Sequence, residues 1–171
     1  MDMMPILPET ELEAMAAQHL GRLLFVFGRL EMNLGLALVR LRPADESRLA
    51  AARIDGLTFG EKLADFEAAA LLRHADDERA LARWMAWFAA AHALRKLRHD
   101  FAHGRWGFQN VQQHIVHVSN LADSPSQAVA RYTLDEFGAM VAEAEELSEK
   151  FYTLTTLHPV EPVHPASAPA C

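Results

Sequence analysis

The chain has 171 residues, of which 51% are hydrophobic and 23% charged, a balance that excludes a disordered chain and suits a globular domain with its own core. Its formal net charge of −7 excludes a protein that coats nucleic acid through bulk charge, so any RNA contact needs a local basic patch. The single cysteine, Cys171, excludes an internal disulfide and a cysteine-based metal site.

Met1 is followed by acidic Asp2, not by a basic segment and an apolar core, so no signal peptide is expected. The longest strongly apolar run, Trp84 to Leu94, is too short for a bilayer and contains His92. These features predict a soluble, cytoplasmic protein.

Three T-x-x-E capping boxes mark predicted helix starts: Thr10 with Glu13, Thr58 with Glu61, and Thr133 with Glu136. The first helix is predicted from about Glu11 to about Leu41, on the apolar series Leu12, Leu23, Phe27, Leu30, Leu34 and Leu38, and Pro43 ends it. Within it Gly21, Gly28 and Gly35 fall seven apart, and Ala14 extends the series. Each mid-helix glycine costs about 1 kcal/mol against alanine. The stripe therefore marks either close packing within the chain or a helix–helix dimer seam.

Pro43 to Leu57 is a connection with one short helix around Ser47 to Arg53. A second long helix follows from about Phe59 to Leu72. The next starts near Asp76 or Asp77, either a good N-cap, and carries Leu81, Trp84, Phe88, Leu94, Leu97 and Phe101. Trp84, Trp87 and Phe88 read as core. This helix is predicted to stop at Gly104, in the left-handed position after the last turn. Val111–Ser119 and Ala128–Tyr132 are richer in β-branched residues and predict a small hairpin turning at Asn120 to Ser126. The last helix is predicted over Leu134–Leu157. From His158 the chain holds four prolines and no apolar period, which reads as a mobile tail. The expected fold is mainly α: an up-and-down bundle of four to five helices with a small β-hairpin insertion before the last helix, one domain over residues 1–157.

The chemistry-bearing stretch is Arg98-His99-Asp100-Phe101-Ala102-His103-Gly104 at the end of the third long helix. Arg95, Lys96, Arg98 and Arg105 cluster around it. Helix C-termini favour cations, so one reading is a solvated end that compensates the helix dipole. A second reading is metal binding, because His99-Asp100-Phe101-Ala102-His103 is similar to the zincin H-E-x-x-H with a shorter acid. No third ligand stands at a recognisable position; His114 and His117 lie on a predicted strand, on opposite faces. A third reading pairs an arginine for phosphate with a histidine for proton transfer.

That third reading carries a family resemblance. Long helices ending in Arg98-His99-x3-His103-Gly104, after Leu94-Arg95-Lys96-Leu97 and before Arg105-Trp106, resemble the HEPN superfamily, whose motif is R-x4-6-H. Gly28-Arg29-Leu30-Glu31 is similar to the glycine and glutamate of that family's first helix. The resemblance implies a metal-independent endoribonuclease that needs no cofactor and works as a homodimer through the motif helix, two motifs meeting in one cleft. Arg98 would then hold the phosphate and stabilise its developing charge. His103 would be the general acid or base in attack by the RNA 2′-OH. His99 would orient the site and Glu31 would hold Arg98 or His103, while Arg95, Arg105 and Trp106 would support or bind substrate. A toxin or defence nuclease is the implied role, with an antitoxin or nucleotidyltransferase as partner. Such partners modify a tyrosine two residues after the motif histidine, and this chain has Arg105 there. The alternative is a non-catalytic HEPN-like dimer module that binds a protein or nucleotide.

Helix geometry constrains the motif. Five residues turn an ideal helix by about 500°, which leaves Arg98 and His103 roughly 140° apart. Arg95, His99 and His103 instead share one stripe at four-residue spacing, a competing anion site. Trp106 is either a lid on the core or a base-stacking platform.

Overall fold

The computed structural model describes residues 6–43, 46–109, 111–120 and 125–161. The fold is mainly α. Helices α1 (Glu9–Arg40), α2 (Ser47–Asp55), α3 (Phe59–Arg73) and α4 (Glu78–Ala102) precede strands β1 (Gly104–Gln109), β2 (His114–Ser119) and β3 (Ala128–Tyr132), and α5 (Leu134–Leu157) closes the order. The sheet is antiparallel in the order β1-β2-β3. Most of the predicted tail, residues 162–171, and part of the predicted turn, residues 121–124, lie outside the described residues.

Two of the three capping boxes form. The Thr58 N–H donates to Glu61 Oε2 at 2.8 Å and the Glu61 N–H donates back to Thr58 Oγ1 at 3.3 Å. At Thr133 and Glu136 the same distances are 2.8 and 3.2 Å. These bonds hold both glutamate carboxyls below their ordinary range. Thr10 is not a cap. The Pro8 carbonyl already accepts from Glu11 and Leu12, so α1 starts at Glu9 and Thr10 lies inside it. Helix α4 is capped by Asp77, whose Oδ1 accepts from the Arg79 and Ala80 amides at 3.1 and 3.0 Å.

The segment after α4 departs from expectation. Gly104 does not adopt a left-handed stop; among the described residues no glycine has a positive φ. It begins a strand, β1, so the predicted hairpin is two strands of a three-stranded sheet. Trp106 pairs with His117 and Phe108 with Ile115 across β1 and β2. The positive φ values fall at the two ends of β2, on Gln113 (52°) and Asn120 (66°). The Gln113 amide also pairs both ways with the Leu7 backbone, at 3.1 and 3.2 Å.

The chain divides into two compact units, with boundaries inside α1, α4 and α5. In the unit formed by Gly28–Ala93 and Leu147–Cys171, Phe66, Trp84, Trp87, Phe88 and Phe151 form one aromatic core with ring centroids 5.1–6.3 Å apart. Trp84, Trp87 and Phe88 are buried as expected. The two indole N–H groups find carbonyl partners, Trp87 on Leu147 at 3.0 Å and Trp84 on His158 at 3.2 Å. In the unit formed by Met1–Phe27 and Leu94–Glu146, the helices pack on the inner face of the sheet. Phe101 of α4 is its hub, with Trp106, His117, Tyr132 and Phe137 at 5.0–5.7 Å.

The glycine stripe of α1 splits. A Cβ on Gly35 would touch Ile54 at 3.6 Å, so that position packs within the chain. Gly21 and Gly28 have nothing within 4 Å, so in-chain packing does not account for them.

Candidate functional site

The motif occupies the last turn of α4 and the first residue beyond it. The helix ends at Ala102, and the His103 N–H donates to the Asp100 carbonyl at 3.3 Å, which tightens the chain into a turn before β1. His99 and His103 are both exposed, with ring centroids 4.6 Å apart and planes tilted by 53°. Four-residue spacing on one stripe thus brings the two imidazoles together, as the helix period requires.

Arg98 goes elsewhere. It is half-buried, with its guanidinium carbon 5.1 Å from the centroid of the Phe27 ring on α1, a cation–π arrangement. Its Nε is sealed from solvent without a hydrogen-bond partner. Arg98 and His103 therefore turn to different neighbours. Arg95, Lys96 and Arg105, close to the histidines in sequence, are exposed. Among the described residues none of these cations, nor Arg98, forms an ion pair.

Two of the expected supporting residues have other partners. The Glu31 carboxylate accepts from Lys62 Nζ at 3.2 Å. Lys62 is buried, and a buried ammonium needs a counter-charge, which accounts for that pairing. Trp106 packs inward on Phe101, His117 and Phe137, at 5.0, 4.5 and 5.6 Å, as a lid on the core. Among the described residues no group of three or more His, Cys, Asp or Glu side chains converges as a metal site would require, so the H-D-x-x-H segment has no third ligand there.

His117 is the residue that motif reasoning passed over. Of the two histidines on β2 only His117 is buried, at 3% exposure. Its ring packs against Phe101 and Trp106, and its Nε2 has no partner. Burial holds its pKa below the ordinary histidine value, partly offset by the nearby Asp100 carboxylate and backbone. The Tyr132 phenol is pushed up, first by burial and then by the same carboxylate. A period-two count from buried Ile115 places His117 on the core face, and that was the available signal.

Comparison with protein-family models, with curated proteins and with solved structures returned no match. Among the described residues no helix is long and apolar enough to cross a membrane.

Proposed function

We propose that this protein is a metal-independent endoribonuclease of the HEPN kind, cleaving RNA by attack of the 2′-OH on the adjacent phosphate. The observation that carries this reading is the exposed His99–His103 pair, with rings 4.6 Å apart, among unpaired cations on an otherwise acidic chain. Two adjacent imidazoles supply the two functions that the reaction needs. One takes the 2′-OH proton and the other protonates the leaving 5′-oxygen. Arg95 and Arg105 face solvent and offer bidentate donors to phosphate. Arg98, with its guanidinium over the Phe27 ring, adds a fixed positive charge one residue before His99.

The active form under this proposal is a homodimer. Support comes from α1, where Gly21 and Gly28 stand open and Phe25 and Met32 are 78% and 60% exposed. The biological setting would be that of a toxin or defence nuclease.

The second reading is a non-catalytic binding module. It is favoured by the stacking of Arg98 on Phe27 with Nε sealed, which gives the motif arginine a structural task.

RNA cleavage in EDTA by the wild type, Arg98→Ala and His103→Ala separates the two readings. The nuclease gives products ending in a 2′,3′-cyclic phosphate, lost in His103→Ala and reduced in Arg98→Ala. Equal activity in all three removes these residues from the chemistry, and no activity in any supports the binding module.

A further inference from the structure

Within the unit formed by Met1–Phe27 and Leu94–Glu146, the start of α1, the turn before β2 and the start of α5 border a cleft of about 520 Å³. That volume falls in the range of small-molecule sites, about 300–1,000 Å³. Its walls divide by chemistry. Leu7, Met15 and Leu134 make it apolar, and Met15, a side chain that adapts its shape to what it meets, is 38% exposed. The Leu7 wall is pinned. Gln113, at a left-handed φ of 52°, pairs both ways with the Leu7 backbone, at 3.1 and 3.2 Å.

Glu11 and Asp135 bring carboxylates to the same cleft, from the first turns of α1 and α5. Acids in a first turn ordinarily answer the helix dipole. Here both also border one apolar cleft, and among the described residues neither forms an ion pair. Glu136, next to Asp135, is by contrast engaged with Thr133, at 2.8 and 3.1 Å. Among the described residues no lysine, arginine or histidine lines the cleft. An anion would meet two like charges there. A metal ion would lack a third ligand, since among the described residues no third acid or histidine joins the two. A polyamine would leave the three apolar side chains wet. The complementary ligand is positive at one end and apolar along its body.

We propose that this cleft binds an organic ammonium with an apolar body, the hydrocarbon on Leu7, Met15 and Leu134 and the ammonium held by Glu11 and Asp135. The site shares no residue with the His99–His103 pair and does not rest on the ribonuclease reading.

Phenylbutylamine is the probe, with phenylbutanol as its neutral counterpart, phenylbutyrate as its anionic one and putrescine as charge without an apolar body. Each is titrated into the full chain carrying isotope-labelled methionine methyl groups, and Met15→Leu identifies the Met15 signal. The expected result is a saturable shift of the Met15 methyl by phenylbutylamine, with binding about tenfold weaker for phenylbutanol. Phenylbutyrate and putrescine give no saturable shift. Glu11→Gln and Asp135→Asn each weaken the amine roughly three- to fivefold and leave phenylbutanol unchanged. Glu11→Lys combined with Asp135→Lys transfers saturable binding to phenylbutyrate. Equal affinity for amine and alcohol overturns the proposal, as does an amine affinity indifferent to both neutral variants. So does the absence of a saturable Met15 shift, or an equal shift of the exposed Met32 and Met85 methyls, which marks general adsorption. RNA cleavage does not enter this readout, so either claim can fail while the other stands.

Discussion

His103 and His117 bracket one turn and face opposite environments, and each therefore responds to a different measurement. His103 is exposed, so His103→Ala should change stability by no more than about 0.5 kcal/mol while removing cleavage. Thermal melting beside the activity assay checks this. His117 is buried with its pKa held low, so its sign runs the other way from a salt-bridged histidine. As pH falls, the unfolded chain takes up the proton first, near the ordinary value of about 6.5. The stability contributed by the neutral ring is complete above that value and is lost as pH drops below it. Melting temperatures measured from about pH 7.5 down to about 5.5 should fall in the wild type, and should fall less steeply in His117→Asn.

At the scale of elements, the helix starts set by local chemistry were legible. Thr58 and Thr133 need only a glutamate three residues on, and both boxes form. Thr133→Ala should cost about 1 kcal/mol, with the loss visible as a lower denaturant midpoint. Thr10→Ala should be near neutral, because Pro8 opens α1 before Thr10 is reached. Strand β1 was not legible, because a glycine after a helix ordinarily signals a left-handed cap and not an imidazole arriving from another strand. The candidate site divides along the same line. The His99–His103 pairing was legible from four-residue spacing, whereas the surroundings of Arg98, Glu31 and His117 depend on elements distant in sequence. A Cβ on Gly104 would overlap the His117 ring, Nε2 first, and that close approach is testable at this scale. Gly104→Ala should destabilise the fold by roughly 1–3 kcal/mol, and markedly less in a His117→Ala background where the space is vacant.

The whole molecule carries a net charge of −7, and Arg95, Lys96, Arg98 and Arg105 cluster in sequence around the end of α4, where none of them forms an ion pair among the described residues. RNA binding should therefore be weak in bulk, local to that patch and steeply salt-dependent. Arg95→Glu and Arg105→Glu should each weaken binding to a single-stranded RNA without shifting the melting temperature, as a fluorescence titration at two salt concentrations would show. The exposed Phe25 beside open Gly21 predicts that Phe25→Asp lowers the fraction of dimer seen by light scattering. Cleavage of RNA in EDTA by the wild type and His103→Ala decides between the nuclease and the binding module. The nuclease gives cyclic-phosphate products from the wild type and none from His103→Ala, with both proteins equally folded. Cleavage undiminished in His103→Ala, or none from a folded dimeric wild type, would contradict it.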